Sequence, residues 1–544
     1  MTQETESTRQ VDLDEVDTGR PPLPRRLADR ARSFAPPVVW CITALYLCVL
    51  LGYSVLMPTY RAPDEPHHVD LAHRLSESWH YPAWDEADIT PGIQRSLNLV
   101  DYHIPRSSAH LRPEEALPRD ERPTIEELDR PPIPTSINQN SQHPPLYYLV
   151  AGTADRTAEL IIGGDLTYDA EVWVYRLVSI LLVTTVPLII WRIGRVLDLP
   201  EPVGVAASLI PLAVPQFTHI GSAANNDSLL LLAFWLSTPV IIRIGRGDLS
   251  RRTALLAGAL TGVGALTKLM ALVLPVWVGA ALLVALRRRG RVVLPEAVRA
   301  GAWYGLAAFV VGGWWWLRNL VLYGELAPSR FSQLLAPLEQ YDVDPGKFLQ
   351  TWAYTTTRRF WGDFGLFDTH LPAIAFGTAT AVVLVGLGFA LLRRDRVAGT
   401  PIGDRLLLAG PLVLLVGGQF ANSFRAYQTY GRFPGLQGRY WFGALAATAV
   451  VVALGLANMA RPLIRWLPLL VLAGAGAMQL VAVRTILLHY WAPDGTPLLT
   501  RLDTAATWSP FPGPVLAFGA VVAGVVALAA AVQVTLMRSP ARPT

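Results

Sequence analysis

Pro63-Asp64-Glu65-Pro66-His67-His68 places two adjacent carboxylates and two imidazoles within six residues, just beyond the first long apolar run. A carboxylate at a membrane edge can take the proton of an attacking hydroxyl, the general-base step of inverting glycosyl transfer. Asp64 and Glu65 are the two candidates for that base. The plainer role for Asp64 is to cap the helix that its neighbours begin. Two acids and two imidazoles could also hold a divalent cation, which stays the one open cofactor. Adjacent positions of a helix do not face one way, so four ligands from this stretch are not expected and no metal ligand is assigned. His68 is expected to hydrogen-bond rather than to ligate.

A phosphate leaving group gathers negative charge as a glycosidic bond breaks, and fixed cations in a water-poor site stabilise it. Arg439, flanked by Gln437 and Tyr440, is the first phosphate candidate, because guanidinium grips phosphate at two points. Lys268 and Arg318 follow. Ordinary snorkelling to the interface competes with that role, less so for Lys268, whose only fellow lysine is Lys347. Asn226-Asp227 could bind a sugar hydroxyl or cap the helix that starts there, the cap being the favoured reading. Trp314-Trp315-Trp316 suits an interfacial aromatic belt, and Tyr147-Tyr148 an interface anchor behind the rigid Pro144-Pro145.

The elements that carry these residues are membrane helices. Of 544 residues 52% are hydrophobic and 16% charged, and mean hydropathy is +0.33. A soluble chain of this length would not be so apolar, so the fold class is an all-α polytopic membrane protein. Apolar spans fall near 35–57, 172–191, 203–220, 228–243, 253–268, 269–286, 299–317, 371–392, 404–420, 440–459, 463–483 and 512–536, about 12 transmembrane helices in all. The formal charge is +4 and its basic residues are nearly all arginine. That balance argues for topology signals and against nucleic-acid binding. Cys41 and Cys48 both lie inside the first run, which leaves no disulfide framework.

Arginines decide the orientation. Arg192/Arg195, Arg243/Arg246, Arg287 to Arg289, Arg393/Arg394, Arg461/Arg465 and the Arg538 tail mark alternate loops as cytoplasmic, with both termini inside. The expected organisation is a disordered cytoplasmic tail over 1–34, a transmembrane domain over 35–485, and a final external loop, span and short tail over 486–544. Loops 58–171 and 318–370 then face outward. The first of these holds 20 Asp and Glu against 9 Arg. Pro63 to Trp79 reads as a helix lying on the membrane surface with Asp64 at its start. Residues 80–141 read as an irregular insert, and a short interfacial helix follows His143-Pro144-Pro145.

The motifs resemble a bacterial multi-pass membrane-protein family defined only as a domain of unknown function. Those that match, in order, are Pro63 to His68 without His67, Gln142 to Tyr148, Asn226-Asp227, Leu266-Thr267-Lys268, Arg318-Asn319 with Tyr323-Gly324, Phe360-Trp361-Gly362 with Phe364-Gly365, and Gln437 to Tyr440. The resemblance covers roughly 40–485. That family in turn is similar in architecture to the C-type glycosyltransferases, which take sugars from polyprenyl-phosphate donors on the outer membrane face. The resemblance implies an acidic catalyst at Asp64 or Glu65. With the loop placement it implies a substrate-binding set of His68, His143, Tyr147, Asn226, Asp227, Lys268, Arg318, Asn319, Gln437, Arg439 and Tyr440. The partners it implies are a polyprenyl-phosphate sugar, an envelope glycan, lipid or protein acceptor, and the lipid of a bacterial plasma membrane. Two other functions use the same features: a transporter or flippase of lipid-linked sugars, and a ligase that moves a whole glycan. No internal repeat is visible and the polar motifs share one side, which favours the enzyme.

Overall fold

The computed structural model describes residues 31–537 except 85, 103–109, 132, 329–337 and 339–341. Most of the amino-terminal tail and the Arg538 tail therefore lie outside the described residues.

Among the described residues ten helices are long and apolar enough to cross a membrane, and the bent pair Glu201–Ala213 and Pro215–Gly221 makes an eleventh. The remaining expected span, near 253–268, is helix Arg251–Ala265. Its 15 residues rise only about 22 Å at 1.5 Å each, short of a ~30 Å hydrocarbon layer. The chain is a multi-pass, all-α membrane protein.

Helices Tyr168–Val196, Asp227–Gly245 and Gly438–Met459 are the most enclosed, whereas only 6% of the apolar window in Gly513–Leu536 is buried. At the centre Phe217 packs edge-on to Trp235 and Phe442, 5.5 and 5.3 Å away. Outer helices leave Phe518, Leu528 and Ile374 largely bare. In hydrocarbon such a surface costs nothing, and each helix satisfies its own backbone groups.

Polar residues gather at the two ends of the bundle. At one end Asp404 joins the loops near 246 and 288, accepting from Arg246 Nε at 3.0 Å and pairing with Arg288 Nη1 at 2.8 Å. At the other, Leu111 bridges to Trp491 and Arg122 donates to the Ser509 carbonyl at 3.0 Å. The arginine loops and the acidic first loop thus lie at opposite ends, as their spacing requires.

The acidic end is a packed layer. Helix Glu65–Glu77 buries ten of its 13 residues, among them Val69, Leu71, Ala72 and Leu75, against Ile93, Leu97, Ile125, Tyr147 and Tyr148. It is enclosed rather than laid open on a surface. Helix Leu146–Ile162 crosses it so closely that a Cβ on Gly152 would come 2.8 Å from both Ala72 O and Ser76 N, which only glycine permits. Residues 80–141 supply short pieces, Pro91–Leu99 and Ile125–Leu128, in an otherwise irregular cover.

Candidate active site

Asp64 stands at the N-cap of helix 65–77 with φ 64°, and its carboxylate makes no capping bond. The capping role is not the one it plays. Instead Oδ2 accepts from Arg439 Nη2 at 2.5 Å and Oδ1 from Gln139 Nε2 at 3.1 Å. Its side chain is 30% exposed, against 5% for Arg439. Burial alone would raise its pKa, but the Arg439 guanidinium holds the carboxyl well below the usual range. An ionised oxygen therefore faces the open side of a buried cation.

Glu65, one residue on, has the opposite fate. It is fully buried, and Arg176 grips it with Nε to Oε1 at 2.8 Å and Nη2 to Oε2 at 2.7 Å. Ala224 N adds a third donor at 3.1 Å. Arg176 also donates to the carbonyls of Ser54, Met57 and Pro58, clamping the end of the first span. These donors occupy both of its oxygens, so the geometry makes Glu65 an anchor for the end of the first span. Arg176 was not a candidate from sequence. Its signal was an ionisable residue within an apolar span.

Arg439 arrives through packing that only glycine allows. A Cβ on Gly438 would lie 2.2 Å from Phe360 N, so the Gln437–Tyr440 motif rests directly on the Arg359-Phe360 backbone. Gln419 Nε2 fixes the same turn by donating to the Gly435 and Gln437 carbonyls at 2.8 and 3.0 Å. Arg439 Nε then lies 3.7 Å from Asp227 Oδ2. Asp227 accepts from Lys268 Nζ at 2.6 Å, and Asn226 Oδ1 accepts from the same ammonium at 3.5 Å. Asn226 occupies an N-cap without a side-chain capping bond, so here too the cap reading fails. Lys268 sits 5.8 Å from the Tyr440 ring centroid. Asp64, Arg439, Asp227 and Lys268 form one alternating chain of charge.

Histidines flank it as neutral groups. His68 Nδ1 is 2.9 Å from Tyr148 Oη, and burial pushes its pKa well below the ordinary value. Burial and Lys268 hold His143 down to about 3. The expected hydrogen-bonding role of His68 is the observed one. Within the hexapeptide, Arg439 occupies the Asp64 carboxylate and Tyr148 occupies His68 Nδ1.

Three expected binding residues are not brought to this cluster. Tyr147 is fully buried and bonds to Ser179 Oγ at 2.8 Å; its neighbour Tyr148 is the one that faces His68. Successive helical positions point about 100° apart, so only one of the pair could do so. Arg318 lies over the Trp315 and Tyr323 rings, 4.7 and 5.6 Å from their centroids. Asn319 donates to the Leu326 carbonyl at 3.3 Å and serves the local turn. The Trp315 ring reaches the cluster only indirectly, through Tyr81 at 6.1 Å and Tyr148 beyond it at 6.0 Å.

Beside Arg439 lies a small cavity of mixed lining. Asp227, Arg439 and Tyr440 form its polar part, and Leu230, Leu231, Phe234 and Leu415 its apolar walls.

The family model described as "Predicted membrane protein (DUF2142)" matches residues 47–449. No curated protein matches the sequence. Among solved structures, the oligosaccharyltransferase of Archaeoglobus fulgidus, in complex with Zn and sulfate, overlays with a TM-score of 0.42 at 12% identity, over 87% of this chain and 57% of that one. The chain thus spans a little over half that protein's length. ArnT from Cupriavidus metallidurans, bound to undecaprenyl phosphate, overlays with a TM-score of 0.41 at 13% identity, over 89% of this chain and 77% of that one.

Proposed function

The chain belongs to the DUF2142 family of predicted membrane proteins, and from that premise we propose a membrane glycosyltransferase that moves a sugar from a polyprenyl-phosphate donor to an envelope glycan, lipid or protein on the outer face of a bacterial membrane. The observation that carries this reading is the contact between the part-exposed Asp64 and the buried Arg439, which also lines a small cavity with Asp227, Tyr440 and apolar side chains. Arg439 and Lys268 hold the donor phosphate, and the apolar walls take the first isoprene units. The bond from the anomeric carbon to the phosphate oxygen breaks, and the electron pair leaves with the polyprenyl phosphate. The acceptor hydroxyl oxygen bonds to the same carbon from the opposite face, and its proton passes to the Asp64 carboxylate.

In the resting site Arg439 makes Asp64 a weak base. A donor phosphate drawing on the same guanidinium raises Asp64 toward an ordinary carboxylate. Basicity then appears only when the donor is bound, which keeps an idle site inert. Arginine-rich loops at the far end support cytoplasmic termini and an external site. A ligase transferring a whole glycan would use the same residues.

The test pairs binding with turnover. Protein in nanodiscs is titrated with undecaprenyl phosphate, and lipid-linked sugars are followed in a deletion strain carrying each variant. Asp64→Asn should bind the lipid yet leave lipid-linked sugar accumulated, whereas Arg439→Ala should lose binding. Full processing by Asp64→Asn would remove the proposed base. Export of intact lipid-linked sugar by that variant would favour a flippase instead.

A further inference from the structure

Helix 65–77 carries a second group of chemistry-bearing residues at its other end. His73 is 7% exposed, Glu171 is 2% exposed, and one ligand atom from each of His73, Glu126 and Glu171 lies within 4.8 Å of the others. His73 Nδ1 is 2.9 Å from Glu171 Oε1, and its Nε2 is 3.9 Å from Glu126 Oε1. The three come from separate elements: helix 65–77, the short helix Ile125–Leu128 and helix Tyr168–Val183.

A further acid crowds the group. Asp155, on helix 146–162, is 1% exposed and its Oδ1 has no hydrogen-bond partner. Its Oδ2 lies 3.2 Å from Tyr175 Oη, which also lies 2.6 Å from Glu171 Oε1. A phenol has one hydrogen and cannot donate to both carboxylates. Glu159 stands nearby but is engaged by Arg156 at 3.1 Å, and Asp70 by Arg74 at 3.0 Å. Glu126, Glu171 and Asp155 are left with one imidazole among them. Two buried carboxyl groups and a half-exposed one around a single imidazole offer more ligand oxygens than the protein supplies donors for, the surroundings that a cation takes.

We propose that His73, Glu126 and Glu171, with Asp155 beside them, form a divalent-metal site that fastens the carboxyl end of helix 65–77 to the first external loop. One imidazole with carboxylates favours zinc or manganese over calcium or magnesium. The Glu126 side chain is 39% exposed and leaves a path for entry from the loop side. Glu171 and Arg176 share one helix, so the metal and the Glu65 pair hold helix 65–77 at both ends. Asp64 is then positioned from two points.

Full-length protein in detergent is stripped with a chelator, dialysed against zinc chloride or manganese chloride and assayed for bound metal and melting temperature. The expected result is about one metal per chain and a higher melting temperature. Glu126→Gln, at a half-exposed position that does not threaten folding, should bind at least tenfold more weakly. His73→Ala should bind none, and Asp64→Asn should bind as the parent does. Equal retention by the parent and Glu126→Gln, or loss of metal in Asp64→Asn, would overturn the site. A parent chain that retains neither metal would overturn it as well.

Discussion

At its amino end, helix 65–77 meets two arginines: Asp64 faces Arg439, and Glu65 faces Arg176. At its carboxyl end the same helix brings one histidine against Glu171 and Glu126, with Asp155 next to them and, among the described residues, no arginine paired with any of those three. Burial disfavours the charged imidazole at both ends, yet the histidines there shift in opposite directions. His143, near Lys268, is pushed down to about 3, whereas Glu171 overrides burial and carries His73 up to about 10. Matched charge yields a fixed, ionised carboxylate with a cation to share with a substrate. Unmatched charge yields a place that must recruit a proton or a metal. One end suits turnover and the other suits fastening.

The largest effect expected separates the adjacent acids. Asp64→Asn should lower sugar transfer by about 10²–10⁴-fold with an unchanged melting temperature, measured in reconstituted protein. If Glu65→Gln gives the same loss at full stability, the two carboxylates have not divided their roles. Next, Glu65→Gln or Arg176→Met should each cost about 3–5 kcal/mol, because each strands a buried charge. Thermal unfolding checks this, and the double variant Glu65→Leu/Arg176→Met should recover most of the loss.

Glu171→Gln tests the opposite end. It should cost about 1–3 kcal/mol by removing the charge that pairs with the buried His73 while leaving undecaprenyl phosphate affinity in nanodiscs unchanged. A large fall in affinity would mean that the two ends are coupled. The smallest effect is one of pH. His143 has a folded pKa near 3, below its ordinary value of 6.5, so the unfolded chain binds more protons between those values. Its contribution is fully present above pH 6.5 and is lost as pH falls toward 3. His143→Gln should therefore flatten the acid limb of melting temperature against pH, and an unchanged limb would mean that burial and Lys268 do not hold this ring neutral.

Much of this arrangement was legible in the residues. Asp64, Asn226, Asp227, Lys268, Arg439 and Tyr440 were singled out from the chain, and they do converge. Arg318 and Asn319 carried equal motif weight and lie elsewhere, because a motif records a residue without recording its direction. Tyr147 and Tyr148 differ only in which way a helix turns. Arg176 was hidden inside an apolar span whose interior contacts no periodicity reveals. The acid group around His73 was invisible for a related reason: its members are 45 to 98 positions apart and share no pattern.

Apolar run length and arginine spacing by themselves determined that this is a multi-pass membrane protein with its acidic loop and arginine loops at opposite ends. Those are additive, local properties, since each residue meets the hydrocarbon on its own terms. Which cation meets which carboxylate was decided only by the tertiary structure. Asp64 and Arg439 stand 375 positions apart, as do residues on helices that could have packed in many orders. An ion pair forms over a few ångströms, and packing contacts as close as Gly152 on Ala72 and Gly438 on Phe360 set that distance.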